Sequence, residues 1–367
     1  MPYRTIGILY PGAMGASLAW TLHTRVPNLE LLTSLAGRSK ATKDRARSAG
    51  LVDVELSELV ARSDIIISIL PPSAALDMAR AVLEHLPPLS KDSPPPVYID
   101  ANAISPGTVE SIGKLLKEHQ MPFIDGCVIG GPAKEGYDPM IYLSTESSHE
   151  SILQDVASVL SGQSDSEGHR GLLVEVMRGA GQGAASALKM AYGGINKGTT
   201  GLAVLMVLAA HAHSPETAEA LVKELARSRP DALKGFSSGF EAVIPKAYRF
   251  VGEMEENASF IRTALSSLPG SDKHEAEAVA NTYEGLAKVF QRVADNVRYG
   301  ESASSNKTET EAVTSSSSDE TTGVSTTGVS TTDLSPAARE ARASEIQVMK
   351  HFSARGRELL HGNNSKR

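Results

Sequence analysis

A lysine in an almost uncharged run is the first residue of this chain whose setting could do chemistry. Lys189 lies in Gly183-Ala-Ala-Ser-Ala-Leu-Lys-Met-Ala-Tyr-Gly-Gly-Ile-Asn-Lys-Gly198. Gly183, Ala184, Ala185, Ala187 and Gly193 let another group approach the backbone of such a helix closely. Lys189 and Asn196 are seven residues apart, two helical turns, so both point to one face. Such a lysine is either a cation that snorkels to solvent or a group that gives and takes a proton. The elements placed before it decide between the two.

Those elements read as a nucleotide-binding sheet. Ile6, Ile8 and Leu9 form a strand, Tyr10-Pro11-Gly12-Ala13-Met14-Gly15 a glycine turn, and Leu18, Ala19 and Leu22 the apolar stripe of a helix. Gly12 and Gly15 fit the last two glycines of a dinucleotide fingerprint, while Tyr10 stands at the first. The helix N-terminus would offer its N–H groups to a pyrophosphate. A second strand over 31–36 leads to Gly37-Arg38-Ser39-Lys40. An acid near this strand end bonds the ribose 2′-hydroxyl of NAD. Here two cations and a hydroxyl replace it, which favours NADP(H) over NAD(H).

Ser63-Asp-Ile-Ile-Ile-Ser-Ile-Leu70 carries an apolar run, interrupted only by Ser68, of the sort found in a buried parallel strand, and it stops at Pro71 and Pro72. Val97-Tyr-Ile-Asp100 leads to Asn102, which either faces a cofactor or shapes the turn, and to Ser105-Pro106, a good N-cap with proline at N1. Phe123-Ile-Asp-Gly-Cys-Val-Ile129 ends in Gly130 and Gly131, and 140–144 and 172–176 read as further strands. The alternation predicts an α/β fold: a doubly wound, mostly parallel Rossmann-type sheet.

With 367 residues and a net charge of -7, the chain suits two domains and a tail, and no basic stripe points to nucleic acid. No apolar run is long enough for a membrane span. The single cysteine, Cys127, excludes a disulfide framework and reads as a packing residue. The ten scattered histidines indicate no metal site. A strand starting by Thr5 leaves no room for a targeting peptide, so a cytoplasmic protein is expected.

With these motifs in place, the chain resembles the β-hydroxyacid dehydrogenase superfamily, to which 6-phosphogluconate dehydrogenase belongs. It is most similar to a branch of phosphogluconate-dehydrogenase-like NAD-binding proteins with its own C-terminal helical domain. The resemblance is carried by residues 8–15, 35–39, 64–72, 100–106, 125–132, 183–198 and 250–256, in the family's order. It implies a Rossmann domain, a long helix into an all-α domain, and a homodimer built on the helical parts. It also implies hydride transfer between a nicotinamide and a small hydroxy or oxo substrate, with the family's proton-transfer lysine at Lys189. The asparagine that follows that lysine in the family is Gly193 here, and the acid of 6-phosphogluconate dehydrogenase falls at Asn196. The family's substrate-binding serine is Ile129, before Gly130 and Gly131, and its serine–threonine pair is Asn102-Ala103. Asn196 and Asn102 remain substrate-site candidates. Isoleucine at 129 removes a carboxylate donor, and asparagine at 196 removes a second proton-transfer group, so decarboxylation of a sugar acid is not expected. The alternatives are an imine (C=N) reductase and a non-catalytic NADP(H)-binding sensor or scaffold.

The expected domains are 1–178, dinucleotide-binding; 179–299, all-α; 300–335, a disordered Ser/Thr-rich linker; and 336–367, a tail with a short helix. Glycines at 193, 194, 198 and 201 predict a kink or a close helix crossing. Helices are predicted over 216–228, 238–249, 251–266 and 273–299. Glu253, Glu255 and Glu256 read as a solvated helix face, or as one acid reaching into the cleft. Thr-Thr-Gly-Val-Ser repeats at 321–325 and 326–330 in a stretch with too little apolar surface to fold. Ile346, Met349 and Phe352 make a narrow stripe on a helix that either docks on its own protein or a partner or is marginal with no role, the last reading being preferred.

Overall fold

The first half folds as its hydrophobic pattern demands. A computed structural model of the protein describes residues 3–88, 94–162, 171–309 and 335–364. In chain order the elements begin β1 (Thr5–Leu9), α1 (Ala13–Arg25), β2 (Glu30–Thr33), α2 (Lys40–Ser48), β3 (Val52–Asp53), α3 (Leu56–Arg62), β4 (Ile65–Ser68) and α4 (Ala75–Glu84). They continue with β5 (Val97–Asp100), α5 (Pro106–Glu118), β6 (Phe123–Ile129), β7 (Met140–Ser144), α6 (Glu150–Ser161), β8 (Leu173–Val176) and α7 (Ala184–His213). The remaining helices are α8 (Pro215–Ser228), α9 (Pro230–Val243), α10 (Ala247–Ser266), α11 (Lys273–Glu309) and α12 (Pro336–Asn364).

The described strands form one sheet of eight in the order β3-β2-β1-β4-β5-β6-β7-β8. All pairings are parallel except β6 with β7. Alternate side chains of each strand point to opposite faces. Ile6, Ile8, Ile65, Ile67 and Ile99 therefore pack under α1 and α6, while Leu9, Leu32, Ile66 and Tyr98 pack under α3, α4 and α5. The chain reversals place the ends of β1, β2, β4, β5 and β6 along one edge, where a doubly wound sheet binds ligands. The short β3, with both residues exposed, has no hydrophobic signature in the sequence.

Two compact units divide the contacts: Met1–Ile195 with Glu255–Thr282, and Asn196–Met254 with Tyr283–Arg367. α7 is one helix from Ala184 to His213. A Cβ on Gly198 would meet the Tyr283 hydroxyl at 3.2 Å, and one on Gly201 would meet Leu286 and Phe290 at 3.1 Å. These glycines thus mark a close crossing with α11. The helix predicted over 238–249 is corrected. α9 starts at Pro230 and ends at Val243, a 3-10 turn holds Pro245, and α10 restarts at Ala247. Proline is tolerated in a first turn, where its missing N–H has no helical partner, but not inside a helix.

The view of the tail helix as lacking a packing role is also overturned. α12 runs from Pro336 to Asn364, and Ile346, Met349 and Phe352 are buried with Leu233, Phe240 and Phe290 in the core of the second unit. Phe352 stacks at 5.2 Å on Phe240, and Gly356 leaves room for Leu233 and Ser237 of α9. Met349→Ala should therefore cost about 2–5 kcal/mol of stability. Urea unfolding would show this as a lower midpoint at unchanged slope, and a midpoint within error of wild type would contradict the docking. α11 runs to Glu309, past the boundary expected at 299. The Ser/Thr-rich stretch over 310–334, with its tandem repeat, lies outside the described residues. Among the described residues no helix is long and apolar enough to cross a membrane, and no cluster of His, Cys, Asp or Glu is placed to hold a metal ion.

Candidate functional site

The glycine turn after β1 has the shape its sequence implies. Gly12 is the N-cap of α1 with no side-chain hydrogen bond, and no acid lies in the first turn. A Cβ on Gly12 would meet nothing within 4 Å, so there is open space beside the start of α1. Gly15 is the packing glycine: its Cβ would come within 2.9 Å of Ile69 and 3.0 Å of Pro11. Tyr10 holds φ at 42°, the left-handed region where the fingerprint prefers glycine. Its ring lies under the Arg38 guanidinium, 5.7 Å from the ring centroid. Ser39 caps α2 by accepting from the Thr42 N–H at 3.3 Å, and Arg38, Ser39 and Lys40 are all exposed. Nearby, the ends of β2 and β3 enclose a recess of about 370 Å³ lined by Ser34, Leu35, Lys43 and Asp53.

Asn102 ties the next strand ends together. Its Oδ1 accepts from the Leu70 N–H, and its Nδ2 donates to Ser68 Oγ at 3.0 Å and to Asp100 Oδ2 at 2.8 Å. Both amide hydrogens are thereby committed inside the fold, so this side chain shapes the turn and sets the path of Leu70 and Pro71. Asp100 is fully buried, and desolvation raises its pKa to about 7 against the pull of the Asn102 donors.

Lys189 stands at the end of β6. Its Nζ donates to the Val128 carbonyl, beside Ile129, Gly130 and Gly131. Gly130 has φ 124°, and a Cβ there would strike the Tyr137 hydroxyl at 2.2 Å. That hydroxyl accepts the Gly131 N–H at 3.2 Å. The same loop reaches α1, where the Ala133 N–H meets Ser17 Oγ at 3.1 Å and Arg25 pairs with Asp138 at 2.7 Å. The loop after β6 and the helix of the glycine turn are thereby joined. Cys127 is buried, and desolvation pushes its thiol up to about 12, which fits packing rather than nucleophilic work.

Asn196 is exposed, two turns beyond Lys189 on α7, and belongs to the second unit. The acids of α10 are not a solvated face, apart from the exposed Glu255. Glu253 pairs with Lys197, which also sits 4.8 Å from the Phe250 ring centroid. Glu256 accepts the Ser105 N–H at 2.6 Å and the Thr108 hydroxyl at 3.1 Å, capping α5. Sequence reasoning missed Asp125, Ser144 and Ser186, whose spacing carries no local signal because they come from three separate elements.

Residues 5–166 match the family described as the NAD binding domain of 6-phosphogluconate dehydrogenase. The sheet-bearing part of this chain is thus similar to that family. Residues 212–293 match a domain of unknown function, DUF1932. An uncharacterized 28.5 kDa protein of Methanothermus fervidus is 31% identical over 126 residues, 34% of this chain and 45% of its own length. The chain thus spans about half of that relative. The structure of 3-hydroxyisobutyrate dehydrogenase from Salmonella typhimurium has a TM-score of 0.51 at 16% identity, covering 78% of this chain and 99% of the other. A conserved hypothetical protein from Sinorhizobium meliloti 1021 gives 0.50 at 19% identity, covering 79% and 97%. Both show the same fold. Residues 5–166, which hold the glycine turn and the strand ends beside it, thus match an NAD(P)-binding domain.

Proposed function

We propose that the protein is an NADP(H)-dependent oxidoreductase that interconverts a small hydroxy compound and its carbonyl partner, with Lys189 as the proton donor and acceptor. The observation that carries this reading is Lys189 Nζ at the Val128 carbonyl, on the same sheet edge as the glycine turn. The residues present fit the cofactor. Gly12 leaves open space over the uncapped start of α1, suited to a pyrophosphate. Tyr10, Pro11, Ala13, Met14, Leu70 and Pro71 would line the dinucleotide, and Arg38, Ser39 and Lys40 would meet a 2′-phosphate.

Bound nicotinamide supplies or takes up the hydride at the substrate carbon. In reduction Lys189 gives a proton to the carbonyl oxygen as the C–H bond forms, and in oxidation it takes the hydroxyl proton. Ile129 presents an alkyl wall and no hydroxyl, with the Gly130 and Gly131 backbone beside it. This favours a substrate with an apolar group at that position over one with a carboxylate.

Arg38→Asp tests the cofactor reading. Losing charge-assisted bonds to a phosphate and adding a like charge should weaken NADPH by about 10- to 100-fold. NADH should change little. Fluorescence titration of both nucleotides reads this directly, and equal losses would remove the 2′-phosphate assignment. Turnover with NADP⁺ or NADPH over hydroxy acids, aldehydes and cyclic imines then identifies the bond acted on. Tight NADPH binding without turnover of any of them would leave a sensor or scaffold.

A further inference from the structure

The first four N–H groups of a helix have no partner within it. At the start of α7 the Ala184 N–H reaches the Gly181 carbonyl at 3.4 Å, and the Ala187 N–H begins the helical pattern at the Gly183 carbonyl, 2.9 Å away. The two N–H groups between them leave the helix for the sheet. The Ala185 N–H donates to Ser144 Oγ, and the Ser186 N–H to Asp125 Oδ2, both at 3.0 Å.

These two acceptors are joined to one another. Ser144 faces Asp125 across the β6–β7 ladder and donates its hydroxyl to Asp125 Oδ2 at 3.0 Å. Ser186 donates its own hydroxyl to Asp125 Oδ1 at 2.6 Å. One carboxylate, fully buried in the centre of the sheet, thus takes three hydrogen bonds and fixes α7 against β6 in both translation and rotation. It also supplies the negative charge favoured at a helix start, which α7 lacks in its own first turn.

Lys189 is three residues past Ser186 on α7, on the same helical face. Val128, whose carbonyl holds the ammonium, is three residues past Asp125 on β6. Helix and strand therefore touch at two points in a single register. A catalytic group acts well only when its support is itself locked.

We infer that Asp125, with Ser144 and Ser186, is the positioning clamp that sets Lys189 at the end of β6. The inference deepens the proposed function and rests on Lys189 acting there, but the clamp itself can be read without turnover. The probe is trace acetic anhydride labelling of the full-length protein over a range of pH, with Lys189 compared with Lys43 by peptide mass spectrometry. The variants are Ser144→Ala, Ser186→Ala and Asp125→Asn. Ser158→Ala, whose hydroxyl bonds only within its own helix, is the control. In Ser144→Ala and Ser186→Ala the relative labelling of Lys189 should rise several-fold and its pH midpoint should move. NADPH affinity should stay near wild type, and kcat should fall about 10- to 100-fold, as a small misplacement of a reacting group does. Asp125→Asn should act in the same direction, and the serine variants carry the test if it does not fold.

Folded serine variants with unchanged Lys189 labelling would overturn the clamp. Altered labelling in a protein whose wild type turns over no substrate would support the clamp and reject the proposed function instead.

Discussion

Lys189→Ala should lower kcat by about 10²- to 10⁴-fold, the usual worth of a positioned general acid or base. NADPH binding should stay within a few-fold of wild type. The residues proposed to face the nucleotide lie after β1, β2 and β4, whereas Lys189 contacts Val128 near the end of β6. Alanine is the best helix former, so α7 itself is not weakened. Truncation leaves the Val128 carbonyl without its ammonium donor, a loss of about 1 kcal/mol if water replaces it. A stability loss of that size cannot account for a hundredfold fall in rate. Steady-state kinetics on any substrate found by the turnover panel, with parallel nucleotide titration, separates the two effects. An alanine variant with wild-type kcat would place the proton transfer on another group. Lys189→Arg should recover little, because guanidinium does not give up a proton near neutral pH.

Much of the sheet was legible because parallel strands buried on both faces are written as short apolar runs. The run over 65–70 and the glycine turn at 12–15 needed no tertiary information. Tyr10 shows the limit. Its departure from the fingerprint is visible in sequence, but the positive φ it adopts and the Arg38 guanidinium over its ring are not. The sequence allows Asn102 two roles, and its bonds to Leu70, Ser68 and Asp100, which hold the turn, come from separate strand ends that no local spacing reveals. In sequence Asp125 is only a strand residue, because the serines that bond it come from β7 and α7. Ile346, Met349 and Phe352 make only a narrow stripe, which in sequence suits a docked helix or one with no role. A helix that docks into a cleft between others needs only such a stripe, and α8 and α9 supply the rest of its burial.

Stability should rise, not fall, as the pH is lowered from about 8 to about 5. Burial raises Asp100 to about 7, with Asp125 and Glu256 adding like charge, while Asn102 donates to it. Burial likewise raises Asp125 to about 6 against the donors of Ser186 and Ser144. In the unfolded chain both carboxyls titrate near the ordinary value of about 3.9. Between the unfolded and folded values the folded protein binds more protons, so acid favours it. The stability from these two groups is fully present below the unfolded pKa and is lost as pH rises through 6 and then 7. Each tenfold change in proton affinity is worth about 1.4 kcal/mol, which gives on the order of 4 kcal/mol across that range. The surface acids act in the opposite sense at lower pH. Glu110, Glu241 and Glu277 are held below their usual range by bonds to Lys114, Arg357 and Arg262, and they lose that support as they protonate. The melting temperature should therefore peak near pH 5. Calorimetry across the series would show this, and Asp100→Asn should flatten the upper part of the curve, between pH 6 and 8. A melting temperature that is level or falls from pH 8 to 5 would mean that both carboxylates remain ionised in the core, with the Asn102, Ser144 and Ser186 donors outweighing the cost of burial.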